Sequence, residues 1–115
     1  MVPGDIQPTS EYGAMWLFAL FDLPVDTKQA KREYVHFRKT LIREGFAKLQ
    51  YSVYARYCPS DESAETYRRH LRADLPPDGQ VRLLSVTDRQ FGKMEVFYGE
   101  NRVPAEDAPI QLELF

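Results

Sequence analysis

The chain has 115 residues, the size of one compact domain, and its composition of 43% hydrophobic residues is rich enough to fill a core. A single cysteine, Cys58, excludes an internal disulfide and any CxxC metal or redox site, and no run approaches the roughly 20 apolar residues of a membrane span. The net charge of −2 conceals a segregation: residues 26–93 carry 14 Lys/Arg against 9 Asp/Glu, while residues 1–25 carry three acids and no base and residues 94–115 five acids and one base. A basic centre between acidic ends bears more on the choice of partner than the total charge does.

Residues 1–13 contain two prolines and two glycines and read as a flexible arm. They lack the basic and apolar regions of a signal peptide, which points to the cytoplasm. Met15 to Asp22, MWLFALFD, is an apolar run that stops at one charge, the pattern of a strand buried on both faces. Leu23-Pro24 breaks it. Asp26 to Gly45 reads as a helix, with Asp26 as N-cap and Gln29 completing a capping box. Ala30, Tyr34, Phe37 and Leu41 form its apolar stripe, and Gly45 its left-handed cap. Phe46 to Cys58 is aromatic and β-branched and reads as strand, divided near Gln50–Ser52 if it is two strands. Cys58 itself reads as a buried small hydrophobe.

Ser60 to Leu75 reads as a second helix, acidic in its first half and basic in its second, as the helix dipole favours. Ala64, Tyr67, Leu71 and Leu75 form its buried stripe, and Pro76-Pro77-Asp78-Gly79 ends it. Gln80 to Thr87 is a third apolar strand. A connector over Asp88–Lys93 leads to a short strand at 95–99, then a loop to Pro109, then a half-buried alternation at Ile110, Leu112 and Leu114. Two helices covering one face of such a sheet make an α+β protein, best fitted by a ferredoxin-like β-α-β-β-α-β unit over 14–100 with a C-terminal tail over 101–115. The late segments would add as apolar edges. Val96, Phe97, Tyr98, Ile110, Leu112 and Leu114 are then expected to pair with a second copy across a two-fold axis rather than stay open to aggregation. The plainer alternative is a loose tail.

Asp22 is the most informative residue. It emerges where a buried strand ends, so its carboxylate stands at the sheet rim, able to bind a hard divalent cation or, more plainly, to cap the following turn. A two-fold axis nearby would bring two such carboxylates together, and a shared ion would acidify a water for attack on a phosphodiester. No His, Ser or Cys constellation competes: His36 and His70 lie on helices and read as solvated. The second signal is basic. Lys28, Lys31, Arg32, Arg38, Lys39 and Arg43 crowd the first helix, and Lys48 and Arg56 follow in the strand region, with further arginines on the second helix. Such a stripe suits a phosphate backbone, with salt-sensitive and sequence-independent affinity, though a solvated helix face has the same look.

The segments LFALFDLPVDT (17–27), FRKTLIREGFAKLQYSVYAR (37–56) and VRLLSVTDRQFGKMEVFYGE (81–100) together resemble CRISPR-associated protein two, closest to members from type II systems. The resemblance implies a ferredoxin-like homodimer and a Mg²⁺ or Mn²⁺ site at Asp22, shared across the two-fold axis. It implies metal-dependent endonuclease activity on RNA or DNA in some members. It further implies a bridging role in spacer acquisition, the dimer lying between integrase dimers of CRISPR-associated protein one and holding spacer-precursor duplex DNA on its basic surface. Some members reported to cleave carry Arg and Phe where this chain has Lys48 and Tyr54, and Lys cannot reproduce Arg's bidentate phosphate contact, so binding transfers more directly than cleavage. A stand-alone, toxin-like metal-dependent endoribonuclease acting on single-stranded RNA is the alternative. The last five residues, Gln111-Leu112-Glu113-Leu114-Phe115, look like the peptide by which bacterial proteins dock on the replication sliding clamp. A terminal strand is the plainer reading of the same residues.

Overall fold

Met15–Asp22 form β1 of a computed structural model that describes residues 13–108. β1 runs through the middle of a four-stranded antiparallel sheet and separates its residues by parity. Leu17, Ala19 and Phe21 face a helix layer, while Trp16, Phe18 and Leu20 face the other way. The expected burial on both faces is met in part: Leu17, Ala19 and Phe21 on one face and Trp16 on the other are buried, while Phe18 and Leu20 are half-buried.

The first helix, α1, spans Lys28–Arg43. Its N-cap is Thr27, whose hydroxyl accepts the Ala30 N–H at 3.0 Å; the expected cap at Asp26 is corrected by one residue, because the helix begins later and the threonine is the side chain in reach of a free N–H. Phe37 and Leu41 are fully buried, as the stripe requires. Gly45, at φ +88°, ends the helix, and a β-carbon there would meet the Arg56 guanidinium.

The strand region divides into β2, Ala47–Gln50, and β3, Val53–Cys58, with a bulge between Lys48 and Gln50 and a turn at Tyr51-Ser52. The second helix, α2, Asp61–Arg72, is capped by Ser60 and buries Ala64 and Leu71. It stops before Leu75, which is exposed and is no part of its stripe. β4, Gln80–Thr87, has the expected limits and pairs with β1 along its whole length. The sheet order β2-β3-β1-β4 and helices on one face give the expected ferredoxin-like α+β arrangement.

Two late segments differ from expectation. The connector after β4 is a short helix, α3, Asp88–Gly92, started by a complete capping box between Thr87 and Gln90. The segment after it is a hairpin: β5, Val96–Tyr98, pairs with β6, Asn101–Val103, as a separate two-stranded sheet. Gly99, at φ +66°, supplies the tight turn that makes Tyr98 and Asn101 neighbours, so the region read as loop holds a strand and β5 is no edge of the main sheet within its own chain. The Ile110, Leu112 and Leu114 strand and the Gln111–Phe115 motif lie outside the described residues, as does nearly all of the 1–13 arm.

The main core lies between the helices and the sheet. A smaller one forms on the back face, where α3 packs Phe91 flat on Trp16, centroids 3.9 Å apart, and Trp16 donates its indole N–H to Asp88 at 2.8 Å. It covers only part of that face. Beside it a groove of about 680 Å³ opens between the sheet and the β5–β6 hairpin, lined by Phe18, Leu20, Leu84 and Phe97 among others. Leu84 is 52% exposed, Phe97 53% and Tyr98 73%.

Candidate nucleic-acid interface and metal ligand

Asp22 is the last residue of β1, paired with Gln80 of β4, and its side chain is exposed. Two backbone features hold it in place. The N–H of Phe21, one residue earlier, donates to the Ser52 carbonyl at 3.1 Å. On the other side Gly79, at φ +90°, passes so close that a β-carbon would lie 2.7 Å from the Asp22 carbonyl oxygen and 3.0 Å from the Leu23 Cα. The carboxylate therefore stands on a rim fixed from both neighbouring strands and makes no ion pair among the described residues. Nor does any group of three His, Cys, Asp or Glu side chains among them gather to hold a metal ion. Among the described residues Asp22 thus stands as a single carboxylate donor, and a hard divalent cation held there would draw its remaining oxygen ligands from waters, phosphates or a second carboxylate.

The basic residues separate into two sets. Lys28, Lys31, Arg32 and Lys39 lie on the exposed outer face of α1, where Lys31, Arg32, Val35, His36 and Lys39 border one shallow depression. Lys28, Lys31 and Lys39 have no ion pair among the described residues, and Arg32 only caps the Gln29 side chain at 2.8 Å. Arg43, at the far end of the stripe, is drawn to Glu44 at 3.9 Å and Asp74 at 3.7 Å, and Arg38 is half-buried beside Tyr34. The arginines of α2 are engaged locally: Arg68 with Glu65 and Ser85, Arg72 with Glu65, and these two partners hold the Glu65 carboxyl below its usual range.

Strand parity decides the rest. Arg56 faces the helix layer with Tyr54 and Cys58, its guanidinium 3.8 Å from the Tyr67 ring centroid and bonded to the Tyr67 hydroxyl at 2.5 Å. Its Nε is buried without a hydrogen-bond partner. Arg56 is therefore half-buried on the helix side of the sheet, near the C-terminal end of α1, rather than on its exposed outer face. Tyr54 is 2% exposed with its ring 5.7 Å from that of Phe21, and so sits in the core behind Asp22. Lys48 remains outside, on the edge strand, with its ammonium 5.6 Å from the Tyr51 ring centroid. Cys58 is fully buried, and burial raises its thiol pKa, consistent with the inert role expected of it.

Both histidines are exposed, as read, but each is tied to a carboxylate of another element. His36 on α1 meets both oxygens of Asp74 at 3.1 Å, and His70 on α2 meets Glu44 at 2.8 Å. Thr40, buried, donates to Asp74 at 2.5 Å. This bond, followed by the His36 contact, holds the Asp74 carboxyl below its ordinary range. The pair of bridges fixes α1 against α2 and so fixes the basic face relative to the sheet.

Tyr51 was not singled out in the sequence, where it falls at the candidate strand division near Gln50–Ser52 with no glycine or proline to mark a turn. In the structure it occupies the tip of the β2–β3 turn, 69% exposed, with its ring 6.3 Å from that of Tyr34 and inclined to it by 25°. The only signal for it was a polar-aromatic dipeptide, Gln50-Tyr51, next to Ser52.

The family model described as CRISPR associated protein Cas2 matches residues 15–94, which takes in every element from β1 through α3. Among curated proteins, a CRISPR-associated endoribonuclease Cas2 of Parvibaculum lavamentivorans is 48% identical over 101 residues, 88% of this chain and 100% of that protein. One of Flavobacterium psychrophilum is 40% identical over 92% of both chains. One of Paracidovorax avenae is 39% identical over 90% of this chain and 96% of its own.

Proposed function

The chain belongs to the CRISPR associated protein Cas2 family, and from that premise we propose that it acts on nucleic acid as a homodimer, gripping phosphates along α1 and presenting Asp22 to a phosphodiester. The observation that carries this reading is the placement of Asp22, exposed on a backbone-locked rim and one short turn before the first lysine of the basic helix. The named endoribonuclease activity of the relatives supports RNA as a substrate.

The second copy follows from the back face. An open apolar groove bordered by Leu20, Leu84, Phe97 and Tyr98 is costly in water, and the same face of another copy covers it with matching chemistry. Val96 lies in the same hairpin and joins that contact. Two copies would bring two Asp22 carboxylates to one Mg²⁺ or Mn²⁺ ion, which when bound supplies an acidified water for attack on phosphorus. The chain's own contribution is to fix the carboxylate between Ser52 and Gly79 and to hold neighbouring phosphates with Lys28 and Lys31.

A bridging role in spacer acquisition is favoured by the length of the basic face. Lys28 to Lys39 spans eleven helical steps, about 16 Å, longer than one scissile phosphate needs and suited to tracking a duplex backbone between integrase dimers of CRISPR-associated protein one. The test compares the parent with Asp22→Asn. Cleavage of single-stranded RNA and of duplex DNA is followed with Mg²⁺ or Mn²⁺, and duplex binding is measured beside it. Cleavage is expected to fall at least about a hundredfold while binding persists. A variant that cuts at the parental rate removes Asp22 from the chemistry. Absence of the integrase from a co-purification removes the bridging role and leaves the stand-alone endoribonuclease.

A further inference from the structure

Tyr51 is exposed at a turn that the fold holds unusually firmly. Its neighbour Ser52 accepts the Phe21 N–H, which ties the turn to the strand end that carries Asp22. Its ring lies against Tyr34 of α1, whose own ring meets Phe21 edge-on at 6.3 Å. The Tyr34 hydroxyl is held above its usual range, chiefly by burial and then by the neighbouring Tyr51 side chain. The neighbouring Tyr34 ring narrows the rotation that an exposed tyrosine ordinarily has. One cation accompanies it: the Lys48 ammonium lies 5.6 Å from its ring centroid. Tyr51 does not line the apolar back groove assigned to the second copy, and its ring neighbour Tyr34 packs on the helix-side core.

A flat, exposed aromatic face beside a cation is the chemistry that receives a nucleobase, whose ring stacks while a neighbouring phosphate meets the ammonium group. A base can stack only when it has left its own helix. We propose that Tyr51 is the stacking platform for one unpaired nucleobase, at a single-stranded end or loop, beside the phosphate track of α1 and next to the Asp22 rim. This rests on the nucleic-acid reading above and adds to it the strandedness of the ligand at one defined point.

The experiment uses the full chain with two probes: a blunt DNA duplex, and the same duplex with a short single-stranded overhang carrying 2-aminopurine, whose fluorescence is quenched by stacking. Variants are Tyr51→Ala, Tyr51→Leu, Tyr51→Phe and Tyr51→Trp. Ala and Leu are expected to lose the quench and to weaken overhang binding about tenfold, while Phe and Trp retain both and blunt-duplex binding moves little in all four. The leucine variant separates a π surface from mere apolar bulk. Parental quenching by the leucine variant, or equal losses on both probes, overturns the platform and leaves the nucleic-acid reading standing. Failure of the parent to bind either probe overturns both.

Discussion

The sharpest consequence of the α1 surface is a change in salt dependence. Lys31 and Lys39 are exposed, border the same depression and have no ion pair among the described residues, so their replacement disturbs no contact within the fold. In a dimer, Lys31→Gln with Lys39→Gln removes two cations from each copy. If all of them neutralise phosphates, the slope of log K against log salt becomes shallower by about 3.6. Over a fourfold rise in salt the parent would then lose about a hundredfold more affinity than the double variant. Fluorescence anisotropy of a labelled duplex across a salt series measures this directly, with Lys93→Gln, beyond α3, as a control that leaves the slope unchanged. Parallel slopes for parent and double variant would refute the assignment of phosphates to α1, whatever the absolute affinities.

Other expectations concern assembly and stability. Leu84→Asp places a charge in the open groove and is expected to convert the dimer to monomer in sedimentation, with circular dichroism unchanged; a dimer that survives it is built on another surface. Asp74→Asn is expected to cost about 1 kcal/mol at neutral pH, a modest figure because the carboxylate is partly exposed. Since the fold holds this carboxyl below its ordinary 3.8, its contribution is present above that value and vanishes as pH falls through the lower folded pKa. Parent and variant should therefore converge in acid, and a gap that stays constant down to pH 2 would contradict the mechanism. Leu41→Ala, at a fully buried position between α1 and the sheet, should cost about 2–5 kcal/mol by urea denaturation; a loss below 1 kcal/mol would mean that the core is looser than its packing.

What the sequence disclosed, and what it hid, follows from the range of the forces involved. The limits of β1 and β4 were legible because each is an apolar run closed by a polar residue, and the α1 stripe because Phe37 and Leu41 repeat at helical spacing. Asp22 was legible for the same reason, as the charge that ends a buried run. The division of Phe46–Cys58 was only half visible, since a bulge and a Tyr-Ser turn do the work that glycine or proline usually announces. β6 was invisible because Asn101–Val103 has too little pattern of its own, and its pairing is imposed by Gly99 and β5. Arg56 shows the commonest limit. Its charge suggested the surface, whereas its parity with Tyr54 and Cys58 turned it inward, where Tyr67 receives it.

Phe18 joins the small back-face core to the open groove. Its ring leans on Phe91 at a centroid distance of 5.7 Å on one side and walls the open groove on the other. Leu49 and Met94 likewise belong to both territories. The short helix pinned by the indole of Trp16 is thus a hinge pin for the surface beside it. If two copies meet on that groove, as proposed, loosening the pin by a single lost hydrogen bond at Asp88 would register first as weaker self-association, before any strand of the sheet had come apart.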